Sequence, residues 1–450
     1  MARESFNSRI GSVLALAGSA VGLGNIWRFP YMLSEYGGGA FILVYIICII
    51  VVALPIMMAE FMVGSRSRTS AFHAVRKLEP DGIWKHYGIL AVFIPFATLC
   101  YYCVIGGWTL QYLLDSCLFR FSGSETSESI GTMFDSLVSS PFKPVILDGA
   151  FLLITCLIIM MGVSKGIEKC SKVMMPMLFL IMIAIVIRVM TIPGATGGLS
   201  YLFKPDFSKI TPQVCLAAMG QSFYSLSIGM GIMITYSSYL DSDSGLTRTA
   251  VSTIIADFIF AIIAGSAIIP ALFAYGMPTG QGTGLVFKTL PVVFSRMPMG
   301  NVVSAVFFFA VLLAALTSSM SLFEVPVSWL IERGRTSRRR ACIYVFTAAF
   351  AIGIVCSLSF GKLSGFTIGG RIIFDAFDYT IGNYLMPLAG LFIVLFVGWK
   401  MDRSKYFDER FTDKGIAPSR RKMVWYNVLH FMIRYISPAA IIAIFLSGIL

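Results

Sequence analysis

The stretch from Gly18 to Pro30 combines residues that rarely share an apolar helix. It contains three glycines within seven residues, followed by an asparagine, an arginine and a proline, and apolar runs flank it on both sides. Inside a helix, glycine costs about 1 kcal/mol relative to alanine, and proline costs roughly 3 kcal/mol. We therefore predict a helix break at membrane depth, which is tolerated only where the freed backbone groups face protein, water or a ligand. The alternative is an unbroken glycine-rich helix packed closely on a neighbour, but Arg28 argues against it because an intramembrane charge usually has a function.

A broken helix can bind ions of both signs. Exposed carbonyls at the end of its first half coordinate cations, and the amides that begin its second half attract anions. The candidate cation ligands are the carbonyls of Gly18, Ala20 and Val21 and the side-chain oxygen of Asn25. The amides of Leu23 and Gly24 are candidates for binding a carboxylate.

Two further polar interruptions occur in apolar runs. Polar residues and a Gly-Met-Gly sequence lie between Gly220 and Gly231, which predicts a second break. Thr317 and Ser318 are adjacent hydroxyls in a later run, and hard cations prefer oxygen ligands. Because serine and threonine also hydrogen-bond to the carbonyls of their own helix, the hydroxyls alone leave both interpretations open.

Two carboxylates lie inside apolar runs. Asp257 is in the middle of the seventh run, and an unpaired buried carboxylate is costly, so we expect it to be paired, metal-bound or protonated. A protonated structural acid is the simplest alternative. Glu60, near the end of the second run, is expected to accept hydrogen bonds from backbone amides freed at the breaks.

Two charge pairs are candidates for gates. Arg28 and Asp378 lie towards one end of the apolar runs, and Arg3 and Glu332 lie towards the other. Paired, they would close a central site from outside and from inside. The alternative is that all four are unrelated interfacial charges.

Two tyrosines lie beside the breaks, Tyr102 in the third run and Tyr224 in the sixth. A tyrosine hydroxyl near the middle of the membrane can donate a hydrogen bond to a substrate carboxylate. Most other aromatic residues are expected to be core residues or interface anchors.

Composition places these residues in a membrane. The chain has 450 residues, of which 57% are hydrophobic and 13% charged, and its mean hydropathy is +0.81. These values are typical of a polytopic membrane protein. The net charge of +12 lies in short segments between apolar runs, which argues against nucleic-acid binding. The nine cysteines include one C-x-x-C pair, Cys100 and Cys103, but no second pair or histidine cluster that would complete a metal site. No nucleophile–base pair is found, so we expect no enzyme.

Eleven apolar runs predict an all-α polytopic membrane protein with about 11 transmembrane helices. By residue number the runs are 10–36, 40–63, 87–119, 145–161, 173–192, 212–239, 249–275, 302–331, 342–358, 372–399 and 428–450. Basic residues cluster before the first run and after the second, fourth, eighth and tenth. We therefore expect the N-terminus and these loops in the cytoplasm and the C-terminus outside.

The two predicted breaks lie in spans one and six. If five spans form a repeat, the breaks occupy corresponding positions, and the odd number gives the two halves opposite orientations, as in inverted-repeat transporters with a midplane site. We expect region 1–240 to contain the first repeat, at about 10–192, and the start of the second. The second repeat would cover 212–400, and residues 400–450 would form a cytoplasmic loop and a final transmembrane helix.

Five segments resemble the neurotransmitter:sodium symporter family, whose bacterial members transport amino acids. The segments are residues 3–6, 18–30, 37–41, 220–227 and 316–319. The resemblance covers about residues 1–400, and its motifs are long and ordered. It implies a carrier that binds two sodium ions and an amino acid, is surrounded by membrane lipid and has no organic cofactor. The oligomeric state stays open.

The resemblance also assigns residues to sites. The first sodium site would be formed by Ala20, Asn25, Ser225, Asp257 and the substrate carboxylate. The second would be formed by carbonyls of Gly18, Val21 and Ala314 and the hydroxyls of Thr317 and Ser318. Substrate contacts would be Ala20, Leu23, Gly24, Thr98, Tyr102, Tyr224, Ser225, Ser227, Met230, Ser318 and Leu322. The gates would be Arg28 with Asp378 and Arg3 with Glu332, with Tyr239 near the inner one. A glycine and a proline ten residues apart, Gly166 and Pro176, resemble a motif for unwinding span five.

Three departures from the family pattern refine the prediction. Asp257 stands where many members have an asparagine, and Ala261 replaces the serine of chloride-dependent members, so we expect the carboxylate to make transport chloride-independent. Ser19 and Gly22 stand in the region where monoamine carriers have an aspartate, which predicts an α-amino acid. Met230 replaces a phenylalanine of some members, and methionine is flexible, so bulky apolar or aromatic side chains are expected to fit.

The leading interpretation is a sodium-coupled symporter of neutral, hydrophobic or aromatic L-amino acids in a bacterial inner membrane. The alternatives are a sodium-dependent amino-acid sensor and an ion channel on the same fold. Two charged gates around one site favour a carrier over a channel, because a channel needs a continuous pore.

Overall fold

The computed structural model describes residues 4–121, 126–241, 245–278, 283–334, 336–401 and 420–447, and most of them are helical. The helices are Arg9–Ala20, Gly24–Glu35, Gly39–Ser67, Ala71–Leu78, Ile83–Cys117, Ser127–Ser139, Lys143–Met160, Val163–Met190, Ala195–Phe203, Phe207–Lys209, Pro212–Ser225, Ile232–Ser237, Leu246–Ala274, Leu285–Ser295, Gly300–Gly334, Arg338–Leu358, Ile373–Lys400, Arg420–Phe431, Met432–Ile436 and Ser437–Ser447. A short hairpin pairs Thr367–Ile368 with Arg371–Ile372.

Both predicted breaks are present. Within the described ranges, nine helices are long and apolar enough to cross a membrane, and the bent pair Arg9–Ala20 and Gly24–Glu35 forms a tenth span with a 55° bend. The sixth predicted span is divided into Pro212–Ser225 and Ile232–Ser237. Each half is shorter than the roughly 20 residues that cross a bilayer. The predicted all-α membrane fold with broken first and sixth spans is therefore confirmed.

The fifth span corrects the sequence-based boundaries. It begins at Val163, ten residues earlier than predicted, with a π-helical turn over Val163–Glu168. The basic character of Lys165 and Lys169 predicts a loop, but both lie in the first turns of this helix with exposed side chains. Long lysine stems carry their charge back to the interface, so basic residues do not end the helix.

The third and eighth spans form the framework that holds the first break. Gly300–Gly334 packs along Ile83–Cys117, and each of the two helices has 35 residues. Glycines in the third span permit the close approach of the fourth, because a Cβ at Gly106 would lie 2.5 Å from the Phe151 ring and one at Gly107 would lie 2.7 Å from a backbone nitrogen. Small residues at such crossings are typical of membrane helix packing.

Candidate functional site

The residues predicted for the first sodium site lie together at the centre of the molecule. The Asn25 Nδ2 donates to Asp257 Oδ1 at 2.8 Å and to Ser225 Oγ at 3.2 Å. The Ser225 hydroxyl lies 3.0 and 2.9 Å from the two Asp257 oxygens. All three side chains are buried. They come from the first, sixth and seventh spans. The two broken spans therefore meet at the Asp257 carboxylate.

The orientation of Asn25 determines how a cation would fit here. Its Oδ1 accepts from the Gly22 amide at 3.2 Å, while its Nδ2 faces Asp257. A cation beside the carboxylate needs an oxygen at that position, so the amide would turn by about half a rotation. The donor set then contains a carboxylate, a hydroxyl and an amide oxygen, which suits a hard alkali cation.

The residues predicted for the second sodium site also converge. Ser318 Oγ lies 3.5 Å from the Gly18 carbonyl oxygen and 3.4 Å from that of Val21. Thr317 donates to the Ala314 carbonyl at 3.0 Å. The first-span carbonyls are available because the helix ends at Ala20. The Thr317 hydroxyl therefore bonds to a carbonyl of its own helix, whereas the Ser318 hydroxyl lies near carbonyls of the broken first span. Bonding within the helix and a role as cation ligands are thus both compatible with this pair.

A small cavity of about 40 Å³ lies between the two breaks. Every residue that the sequence assigned to substrate binding lines it. Five more lining residues were not assigned to substrate binding, namely Ser19, Gly22, Asn25, Ile232 and Ser321. Ser321 could have been found, because it lies one helical turn after Ser318 and so shares its face. The volume is far below the roughly 300–1,000 Å³ typical of small-molecule sites, so lining side chains must move apart to admit an amino acid.

One wall of the cavity is built to bind an anion. The Tyr102 hydroxyl is buried and, among the described residues, has no hydrogen-bond partner. A Cβ at Gly22 would lie 3.5 Å from that hydroxyl and 2.5 Å from Ser318 Oγ, so glycine keeps the space open. Leu23 and Gly24 begin the second half of the first span, where amides have no partner within the helix. A carboxylate placed here would satisfy these donors.

The second break is held by side chains from neighbouring spans. Ser227, Gly229 and Gly231 have positive φ angles of 52°, 81° and 66°, so the backbone between the two halves of the sixth span is not helical. The Ser227 hydroxyl donates to the Ser19 carbonyl at 3.0 Å, which joins the two breaks. Glu60 Oε1 accepts from the Gly229 amide at 2.9 Å. This contact confirms the supporting role predicted for Glu60.

The predicted outer pair is not in direct contact in this structure. Arg28 and Asp378 form no ion pair within 4.0 Å among the pairs of the described chain. The Arg28 guanidinium instead lies over the Tyr224 ring, 4.6 Å from its centroid. Asp378 is exposed, and Arg28 and Tyr224 are partly buried. The outer side of the cavity is therefore covered by one cation–π contact.

The predicted inner pair of Arg3 and Glu332 stays a prediction. Arg3 lies outside the described residues. Glu332 accepts hydrogen bonds from the backbone and hydroxyl of Ser70, at 2.9 and 2.5 Å. Tyr239, expected near this gate, donates to Glu324 at 2.7 Å. Glu324 was not among the predicted site residues, although an acid in an apolar span is a signal for function.

Glu324 belongs to a charged network that seals the inner side. It forms an ion pair with Arg338, and Arg338 also pairs with Glu4 at 3.2 Å. Glu4 in turn accepts from the Val163 amide at 2.6 Å. Arg338 begins the ninth span within a run of three arginines, a pattern from which the sequence predicts a loop.

Comparisons with known proteins place the chain among sodium-dependent transporters. The model of the sodium:neurotransmitter symporter family matches residues 3–132 and 146–450. A sodium-dependent transporter of Bacillus subtilis, YhdH, is 37% identical over 98% of this chain and 96% of its own length, and one of Haemophilus influenzae is 35% identical over 99% and 98%. The sodium- and chloride-dependent GABA transporter 2 of Rattus norvegicus is 25% identical over 100% of this chain and 80% of its own.

A solved structure is also similar. The crystal structure of MhsT in complex with L-phenylalanine has a TM-score of 0.89 and 41% sequence identity, and the match covers 99% of this chain and 100% of that one.

Proposed function

The chain belongs to the sodium:neurotransmitter symporter family, and on that premise we propose that it imports neutral, hydrophobic or aromatic L-amino acids together with sodium by alternating access. The family consists of membrane transporters, not enzymes. The observation that carries the proposal is the central cavity, where all the predicted substrate residues lie next to two clusters of oxygen ligands.

Two sodium ions fit the oxygen clusters. The first would be held by Asp257, Ser225, Asn25, the Ala20 carbonyl and the substrate carboxylate, so its binding depends on the substrate. The second would be held by the carbonyls of the first span and the hydroxyls of the eighth, and it would fix the bent helix against the framework. Sodium thus supplies the positive charge that the buried carboxylate and the carbonyl ends require.

The lining of the cavity favours an amino acid over a monoamine as the substrate. Ser19 and Gly22, which line it, carry no charge to meet an amine that lacks a carboxylate. Tyr102 and the helix-start amides offer donors to a carboxylate. Met230, Leu322 and other apolar side chains line the remainder, and MhsT was crystallised with L-phenylalanine. These features favour a bulky apolar or aromatic side chain.

We infer that transport does not need chloride. Asp257 places a fixed carboxylate beside the first sodium site, and Ala261, one turn later and buried, offers no hydroxyl to a chloride ion. The carboxylate would supply the negative charge that chloride supplies in chloride-dependent relatives.

We also propose the topology. The N-terminus would face the cytoplasm of a bacterial cell and the C-terminus the outside, in the inner membrane. Residues 10–192 and 212–400 would be two five-helix repeats of opposite orientation, followed by a cytoplasmic loop and a final span within 400–450.

The test is uptake of labelled phenylalanine and of other neutral amino acids into proteoliposomes, with and without an inward sodium gradient. We expect accumulation above equilibrium only with the gradient, and equal accumulation when gluconate replaces chloride. Binding without accumulation would indicate a sensor, and single-channel currents would indicate a channel. Uptake that stops in gluconate would overturn chloride independence alone.

A variant connects the uptake to the site. Asp257→Ala should abolish sodium-dependent uptake, because it removes the charged ligand of the first sodium. Asp115→Ala is a control, since Asp115 is also a buried acid but pairs with Arg120 at 3.0 Å outside the cavity. Equal loss in both variants would show that the effect is on folding.

A further inference from the structure

An apolar groove lies on the surface of the helix bundle, separate from the central cavity. It has a volume of about 470 Å³ and lies between the second, sixth and eleventh spans. Its walls include Ile47, Val51, Met219, Tyr435, Ala439 and Ala440. A surface at this depth faces hydrocarbon rather than water. Apolar walls are attracted by dispersion to any atoms that lie against them, and the atoms available at this depth in a bilayer are those of acyl chains.

An arginine adjoins the groove. The Arg434 guanidinium lies 4.2 Å from the centroid of the Trp399 ring and 5.5 Å from that of Tyr435, which also lines the groove. The Trp399 indole donates to the Arg434 carbonyl at 3.0 Å. A charge in a transmembrane helix is costly and usually functional, and Arg434 is far in the fold from the residues of the transport site.

The level of Arg434 in the bundle is fixed by a close helix crossing. A Cβ at Gly398 would lie 2.9 Å from the Arg434 Cα, so the tenth and eleventh spans touch there. The tenth span ends two residues later at Lys400, which pairs with Glu79 at 3.3 Å. Trp399 and Tyr435 are both about half exposed. Aromatic residues at the end of a span are typical of the membrane interface, where lipid phosphates lie.

The charge of Arg434 is not balanced within the described chain. Its Nε has no hydrogen-bond partner there, and the ion pairs formed among the described residues do not include it. Guanidinium groups bind phosphate oxygens with a fixed fork of donors. Basic residues at the cytoplasmic ends of spans attract anionic lipids.

We propose that Arg434 and the groove bind one anionic phospholipid, with its phosphate on the guanidinium and an acyl chain between the second, sixth and eleventh spans. The lipid would brace the outer half of the sixth span, which contains Met219, against the eleventh. This site does not depend on the identity of the transported substrate.

The experiment is native mass spectrometry of the full chain in detergent, with dioleoyl-phosphatidylglycerol or dioleoyl-phosphatidylcholine added. The two lipids have the same tails and differ in head-group charge. We expect one phosphatidylglycerol to be retained about tenfold better than phosphatidylcholine. Arg434→Gln should reduce its retention to the phosphatidylcholine level, and Ala439→Trp should reduce retention of both lipids by filling the groove.

Arg420→Gln is the matched control, because it removes an exposed charge from the same span and should leave retention unchanged. Sodium-dependent thermal stabilisation of each variant checks that it is folded. A preference for phosphatidylglycerol that survives Arg434→Gln would overturn the head-group assignment. Full retention in Ala439→Trp would overturn the assignment of the groove.

Discussion

The two sides of the central cavity are closed to different depths. On the outer side, the partly exposed Arg28 lies over Tyr224, and Asp378 is exposed to solvent. On the inner side, Tyr239 and Glu324 are buried and hydrogen-bonded to each other. The inner closure is therefore a buried network, whereas the outer closure is a single contact.

The N-terminal segment adds a second layer to the inner side. Phe6 packs its ring edge-on against Tyr236 and Tyr239, and its amide donates to the Tyr239 carbonyl at 3.1 Å. Glu168 accepts from the Asn7 amide at 2.7 Å and from the Ser8 hydroxyl at 2.9 Å. The start of the first span is thus fixed to the start of the fifth.

This difference indicates which side opens at lower cost. Separating an exposed cation–π contact costs about 0.5–1 kcal/mol, whereas leaving one partner of a buried ion pair alone costs roughly 3–5 kcal/mol. On the proposed topology, the cavity is therefore closed more firmly towards the inside than towards the outside. The fifth span is helical through Gly166 and Pro176, so the unwinding that its motif suggests would belong to the inward-open state.

The largest effect is expected from Glu324→Ala, which removes the centre of the inner network. Arg338 would keep Glu4 as its ion-pair partner and the Ile159 carbonyl as an acceptor, so the inner closure should lose about 3 kcal/mol, or roughly 100-fold in population. Hydrogen exchange of residues 4–8 should rise, and sodium-driven accumulation should fall by a similar factor. The comparison would be wrong if exchange at the N-terminus did not change. Glu324→Gln, which keeps the shape, and Asp115→Ala, which breaks an acid–arginine pair elsewhere, separate this effect from unfolding.

A smaller effect is expected from Tyr239→Phe. It removes one hydrogen bond to a carboxylate, worth about 1.5–3 kcal/mol, so inward opening should increase about tenfold. The same change should add little to Glu324→Ala, because both act on one contact. If the effects of Tyr239→Phe and Glu324→Ala on inward opening were fully additive in the double variant, Tyr239 would not act through the Glu324 network. Tyr236→Phe, which changes the neighbouring ring in the same cluster, is the control.

Glu168→Gln tests the second layer alone. The amide can still accept one hydrogen bond, so we expect a loss of about 1 kcal/mol, or about fivefold faster exchange in residues 7–12 and 163–168. Lys172→Gln removes only the partly exposed ion pair of Glu168, 2.7 Å long, and should change exchange less than twofold. If Lys172→Gln increased exchange more than Glu168→Gln, the second layer would depend on the charge of Glu168 rather than on its hydrogen bonds to the start of the first span.

The sequence predicted the centre of the molecule better than its inner side. The break at Gly18–Pro30 was predictable because glycine, asparagine and arginine in an apolar run contradict a continuous membrane helix. The lining of the cavity followed from the family resemblance. Glu324 gave a signal in the sequence, but its partner Arg338 lay in a basic run typical of loops, and pairing between spans is not encoded in spacing. For the same reason, hydropathy placed the start of the fifth span too late.

The smallest effect should come from Arg28→Gln on the outer side. In this structure the guanidinium lies over the Tyr224 ring, and losing that contact should make bound substrate dissociate about two- to fivefold faster. Arg28→Lys keeps a cation over the ring and should stay closer to the unmodified protein. The measurement is release of labelled phenylalanine from detergent-solubilised protein at saturating sodium.

The same measurement decides whether the proposed outer pair forms during the cycle. If Arg28 closes onto Asp378 when substrate is bound, Asp378→Asn will speed release as much as Arg28→Gln, and the double variant will show less than the sum, because both remove one interaction. If the tyrosine contact is the whole outer closure, Asp378→Asn will leave release unchanged. Release more than about tenfold faster in Arg28→Gln would exceed what a cation–π contact at an exposed site supplies. It would mean that the outer closure becomes as strong as the inner one once substrate is bound.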